Sequence, residues 1–203
     1  MGHSTLLKRL IIPGVILVSS QLLYTSTFAS ENDQHNAAVA QETLDNSNFK
    51  GEIVYQDQNI TVRNYGNNDQ ISKLIDTASN TVSTGTAKQS VTTPENPIFS
   101  NKSTTVGNGG VAKLNAGNSG RILYWSVNPN TAWPYNFQGS IHLSYYSGFQ
   151  RTAAVGGFGG LHQTVSGSIT MNKNRGGYAS LSGEAVSITG KNFFVLPGVG
   201  TSF

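Results

Sequence analysis

From residue 98 onward, apolar side chains fall at alternate positions, a period that suits a half-buried β-strand and does not suit a surface helix. The clearest stretch sets Leu161, Val165, Ile169 and Met171 against His162, Thr164, Ser166, Ser168 and Thr170. One face would be apolar and the other rich in hydroxyls, as in an antiparallel sheet with one side on a core. Residues 121–127 and 140–146 are further strand candidates, rich in β-branched and aromatic types. In the first of these, Trp125 shares a face with Leu123 and Val127 and is expected in the core.

Turn signals punctuate the pattern: Gly107-Asn108-Gly109-Gly110, Gly117-Asn118-Ser119-Gly120, the stretch 172–177 and Thr189-Gly190-Lys191-Asn192. Strands between such turns predict an all-β fold, an antiparallel β-sandwich or small barrel of about seven or eight strands over residues 97–203. Within Leu181-Ser182-Gly183-Glu184-Ala185-Val186-Ser187-Ile188 the alternation slips by one at Gly183-Glu184, which predicts a β-bulge. A segment of this length buries roughly 60–70% of its extended-chain surface, enough for one core.

The chain ahead of this region is different. Residues 1–29 read as a secretory signal peptide: Lys8 and Arg9 precede an apolar run over 10–18, and Thr27-Phe28-Ala29 offers a cleavage site. That run is far short of the roughly 20 residues that span a bilayer. Residues 30–48 are polar and acidic without apolar period, and read as disordered. Glu52-Ile53-Val54-Tyr55-Gln56 and Ile60-Thr61-Val62-Arg63 form a plausible hairpin. Ile71, Leu74, Ile75 and Ala78 then repeat at helical spacing, with Asn68 or Asp69 placed to cap. Such a small ββα unit cannot bury a sufficient core alone and would lean on the β-domain. Residues 77–93 hold nine Ser or Thr in seventeen positions and read as a linker, giving three parts: 1–29, 30–96 and 97–203.

Charge divides along the same line. Residues 30–96 carry four Lys or Arg and nine Asp or Glu, 4 − 9 = −5; residues 97–203 carry seven and one, 7 − 1 = +6. An acidic arm joined to a cationic domain points to anionic partners: a cell-surface polymer, a carbohydrate or a membrane surface. The cations are scattered singly, which speaks against nucleic acid. The chain has no cysteine, which excludes disulfides and thiolate chemistry; with export, this suits a bacterial protein.

The cationic part has Glu184 as its single carboxylate, and two histidines, His142 and His162. Two-carboxylate glycoside hydrolysis and oxygen-rich metal sites cannot be built within it. No Gly-x-Ser-x-Gly elbow supports a Ser-His-Glu triad, and both histidines read as solvated strand residues. Neither a catalytic residue nor a cofactor nor a metal ligand is assigned.

Eight of nineteen aromatics fall within residues 124–149. Trp133 and Tyr135 lie in a turn-rich loop, Asn128-Pro129-Asn130-Thr131-Ala132-Trp133-Pro134-Tyr135, where exposed rings suit a contact surface. Gly156-Gly157-Phe158-Gly159-Gly160 reads as a connection between strands, or as a mobile tip presenting Phe158. Trp133, Tyr135 and Phe158, with Arg151, Lys173 and Arg175 as cations, form the candidate binding set. The expected activity is that of a secreted, non-catalytic binding protein docking on an anionic envelope or polymer. A membrane-active or antibacterial toxin with an acidic pro-region is the alternative, and an extracellular enzyme comes third.

Overall fold

A computed structural model describes residues 31–47, 49–79, 102–172, 176–190 and 192–203. The expected signal peptide, residues 80–93 of the linker, and Lys173 and Arg175 lie outside the described residues. The chain runs α1 (Glu31–Asn46), β1 (Glu52–Gln56), β2 (Ile60–Gly66), α2 (Asp69–Ser79), β3 (Lys102–Gly107), β4 (Gly110–Ala116) and β5 (Ile122–Pro129). It continues through β6 (Tyr135–Tyr145), β7 (Gln150–Gly159), β8 (Val165–Met171), β9 (Gly177–Ser187), β10 (Phe193–Val195) and β11 (Val199–Ser202).

The strands form two antiparallel sheets. One has six strands in the order β1-β2-β8-β5-β4-β3; the other has five, β10-β9-β6-β7 with β11 also on β9. This is an all-β sandwich. Past residue 97 the described residues hold nine strands, more than the seven or eight expected, because β10 and β11 are short pieces on one flank of β9.

The core lies between the sheets. Leu123, Trp125 and Val127 of β5 meet Phe137, Ile141 and Leu143 of β6, together with Leu114, Ile169 and Leu181. Trp125 and Phe137 pack with ring centroids 5.8 Å apart. The alternation predicts β8 correctly from Val165 to Met171, but Leu161 stands outside it. Gly160 to Gln163 turn instead, with the Gln163 N–H on the Gly160 carbonyl at 3.2 Å, leaving Leu161 exposed. His162, expected on a strand, occupies that turn at φ 55°.

The expected bulge at Gly183-Glu184 is absent: β9 pairs with β6 without interruption from Tyr145↔Gly177 to Tyr135↔Ser187. The odd-numbered residues face inward throughout, and Gly183 takes a core position because the Phe137 ring needs the space. A Cβ at Gly183 would stand 2.7 Å from Phe137 Cε2, and one at Gly139 would stand 2.5 Å from Cζ. Val186 and Ile188 therefore point outward, not into the core.

A second apolar layer covers the outer face of the six-stranded sheet. The hairpin and helix expected from sequence are present as β1, β2 and α2, with Asn68 capping: its Oδ1 accepts the Ile71 N–H at 3.1 Å. The unit does lean on the β-domain, and does so as part of its sheet. β2 pairs with β8 from Ile60↔Met171 onward, and Ile60 and Val62 enter the core.

Residues 31–46, expected to be disordered, are helix α1. Its Ala37, Ala40, Gln41 and Leu44 are buried at helical spacing, and Ala40 and Leu44 pack with Ile71, Ile75 and Ala78 of α2 around Tyr124 of β5. Tyr124 Oη donates to the Leu44 carbonyl at 3.0 Å and to Asp45 Oδ1 at 3.2 Å. Tertiary cover supplies what the polar sequence lacks.

Candidate functional site

The outer face of the five-stranded sheet carries two exposed phenylalanines, Phe158 and Phe193. Directly opposed residues of antiparallel strands share a face. Phe193 of β10 opposes Val186 of β9, Val186 opposes Asn136 of β6, and Asn136 opposes Phe158 of β7. These four side chains form one row across four strands. Three strand spacings separate its ends by about 14 Å. Phe158 is 56% exposed and Phe193 64%.

The row continues at the same end of the sheet. The Ile188 N–H donates to the Pro134 carbonyl at 2.9 Å, extending the pairing of β9 with β6, and Ile188 is exposed beside it. Trp133, 55% exposed, precedes Pro134. Its loop is fixed from within: the Trp133 N–H donates to Thr131 Oγ1 at 3.0 Å, and Thr131 is buried. Away from this end the face turns polar and flat, with Gln138, Ser140 and His142 of β6 flanked by Gly156, Ala154 and Thr152 of β7. His142 Nδ1 and Thr152 Oγ1 lie 3.1 Å apart there, in the solvated strand position expected for His142.

The structure thus keeps Trp133 and Phe158 as surface rings at one end of one sheet, and it separates them from the other described members of the candidate set. Tyr135, expected on an exposed loop, is the first residue of β6 and 1% exposed. Its hydroxyl donates to the Gln163 carbonyl at 2.7 Å, and burial pushes its phenol well above the ordinary value. Its alternation with Phe137, Ile141, Leu143 and Tyr145 marks it as core, a signal present in the sequence.

The glycine string is strand as well. Gly156 to Gly159 belong to β7 and pair with β6. The expected loop or mobile tip is a strand instead, and Gly159 is glycine there because the Tyr135 ring lies where its Cβ would stand. Phe158 is therefore presented from a paired backbone, which lowers the ordering cost of a contact.

Arg151 is committed elsewhere. It alternates with the core residues Ala153 and Val155 and reaches across to the β1–β2 turn, where it pairs with Asp57. Its guanidinium lies 5.8 Å from the centroid of the Tyr55 ring. Asp57 accepts the backbone N–H groups of Asn59 at 2.7 Å and Ile60 at 2.9 Å. Those two bonds, aided by Tyr55 and Arg151, hold its carboxyl far below the usual carboxylate range. Sequence reasoning missed Val186 and Ile188, because the bulge it expected at Gly183-Glu184 would turn them into the core, and it gave Phe193 no role.

No protein-family model matches this chain, and no curated protein matches it.

Proposed function

We propose that this is a secreted, non-catalytic binding protein that docks on an anionic polymer of a cell envelope through the outer face of its five-stranded sheet. The observation that carries the proposal is the Phe193–Val186–Asn136–Phe158 row, which leaves two phenylalanines exposed on paired strands. Exposed large apolar groups gathered on one face mark interaction surfaces. The flat polar area beside them, from Gln138 to His142, supplies hydrogen-bonding groups for a hydroxyl-rich chain.

The net charge of the part past residue 97 favours an anionic ligand, and Glu184 of β9, exposed opposite Gln138, is the one carboxylate that the face itself carries. Of the seven cations past residue 97, Lys113 and Arg151 pair with Asp76 and Asp57. Arg121 is exposed just before β5, a strand of the other sheet, and Lys191 precedes Phe193 by two residues in the chain. Micromolar affinity needs about −8 kcal/mol. Two rings at about 1.5–3 kcal/mol each supply a large part of that scale before ordering costs, and each cation brought near an anionic surface adds about 1 kcal/mol.

The alternative, a toxin released from an acidic pro-region, has less support. The segment before residue 80 supplies β2 to the interior of the six-stranded sheet and, through α1 and α2, the cover over Tyr124. The proposal is tested by retention of the full chain on immobilised polygalacturonate, an anionic glycan, against neutral dextran. Retention on polygalacturonate that weakens with salt is expected; equal retention on both, or none, would count against it.

A further inference from the structure

On the opposite side of the molecule, α1 and α2 leave part of the six-stranded sheet uncovered. A cleft of about 300 Å³ opens there between the end of α1 and strands β2, β8 and β5. Its volume lies at the small end of organic ligand sites. Phe49 and Ile122 give it apolar walls over the buried Leu44, while Tyr65, Ser168 and Thr170 contribute hydroxyls. A neighbouring hollow of about 330 Å³ shares Phe49, Lys50 and Tyr65 with it.

Two cations line the cleft, Arg63 from β2 and Lys50 from the segment before β1. Both belong to the acidic part of the chain. Among the described residues, the two ion pairs are Lys113–Asp76 and Arg151–Asp57, so neither Lys50 nor Arg63 is neutralised by a carboxylate. Arg63 Nη1 donates to the Gly51 carbonyl at 3.1 Å. That bond positions the guanidinium, and among the described residues it is the one hydrogen bond of a group with five donors. The Tyr65 and Ser168 hydroxyls lie 2.8 Å apart. One proton serves that contact, which leaves the other hydroxyl free to donate. Burial raises the Tyr65 phenol above its ordinary value, so it remains a donor at neutral pH.

One carboxylate, Asp45, also lines the cleft, and structural bonds occupy it. Its Oδ1 accepts from Gln41 Nε2 and Tyr124 Oη, and its Oδ2 accepts the Asn118 N–H at 2.9 Å. The charge of the lining is then 2 − 1 = +1. That balance suits one negative charge on the ligand and disfavours two. Glu52 lies in the neighbouring hollow and adds to the penalty for a dianion.

We propose that this cleft binds a small organic carboxylate, its oxygens on the Arg63 fork and the Lys50 ammonium and its apolar body against Phe49 and Ile122. A planar guanidinium matches a carboxylate with two parallel N–H bonds, and the ammonium adds an unoriented charge. The site lies on the six-stranded sheet and does not depend on the polymer-binding face.

The test is an NMR titration of the full chain with three probes that share a benzene ring: phenylacetate, phenylphosphate and phenethylamine. Saturable shifts of the Arg63 side-chain N–H and the Tyr65 amide are expected with phenylacetate, and none with phenethylamine. Arg63→Gln and Lys50→Gln should each weaken phenylacetate binding by roughly tenfold or more, the scale of one charge-assisted hydrogen bond. Lys50 is exposed, so its replacement keeps the test readable if Arg63→Gln disturbs the segment held through Gly51. Phe158→Ala/Phe193→Ala should leave phenylacetate binding unchanged, which separates this site from the opposite face. No saturation with phenylacetate, or saturation that both charge variants leave intact, overturns the site. Tighter binding of phenylphosphate overturns the assignment to a monoanion.

Discussion

The Asp76 carboxylate of α2 lies 2.8 Å from the Lys113 ammonium of β4. Asp57 and Arg151 make the second ion pair among the described residues. Each joins the acidic part of the chain to the basic part. The division of charge is thus partly an internal complementarity that seats the first part on the second, and only the remainder is available to partners. The Asp76 side chain is 45% exposed, so its pair is expected to contribute no more than about 1 kcal/mol. Urea unfolding of Asp76→Asn should show a loss of that size at low salt and a smaller one at high salt.

Asp57 should govern part of the acid response. Its folded carboxyl is held below the ordinary range, first by the Asn59 and Ile60 backbone bonds and then by Tyr55 and Arg151. A depressed carboxyl contributes stability that is present above the unfolded value of about 4 and is lost as pH falls towards the folded value. Asp57→Asn should therefore flatten the fall in stability below about pH 4. Denaturant midpoints measured across acid pH would show it; an unchanged slope would count against this role.

Tyr124 should govern both the anchoring of α1 and part of the alkaline response. Tyr124→Phe removes the hydroxyl bonds to Leu44 and Asp45, a loss on the order of 1 kcal/mol. Faster amide hydrogen exchange in 31–46, with β5 and β8 unaffected, is the expected local signature. Burial, aided by the Asp45 charge, raises this phenol far above its ordinary value. A raised folded value means stability is complete below the unfolded value of about 10 and declines as pH rises beyond it. The variant should show a shallower decline there.

The glycine positions on the sheet interior should resist any side chain. A Cβ at Gly167 would stand 2.5 Å from Trp125 Cζ2, and one at Gly183 would stand 2.7 Å from Phe137 Cε2. Gly167→Ala and Gly183→Ala are each expected to cost about 1–3 kcal/mol by overpacking. Gly198 has open space around it and serves as the control, with Gly198→Ala near neutral in thermal unfolding.

Local pattern made much of this fold readable. Alternation placed Trp125 in the core, and the helical spacing of Ile71, Ile75 and Ala78 marked α2. Helix α1 escaped because its buried stripe consists of Ala37, Ala40 and Gln41 before Leu44, side chains too small or too polar to register as apolar period. β9 misled for the opposite reason. Its outer face carries Val186 and Ile188, so alternation that favoured the wrong face suggested a bulge. Arg151 was unreadable because its partner, Asp57, is 94 residues away in sequence. The carboxylate cleft was hidden likewise, since Lys50, Arg63 and Ser168 come from separate segments that only the sheet brings together.

The most direct test of the proposed function is the affinity of the full chain for polygalacturonate with and without the two exposed phenylalanines. Phe158→Ala/Phe193→Ala removes both ends of the row without touching the core, so thermal stability should be retained. Affinity is expected to fall by roughly tenfold or more, with the salt dependence preserved, since about 1.4 kcal/mol corresponds to one decade. Wild-type affinity in a stably folded double variant would contradict the account.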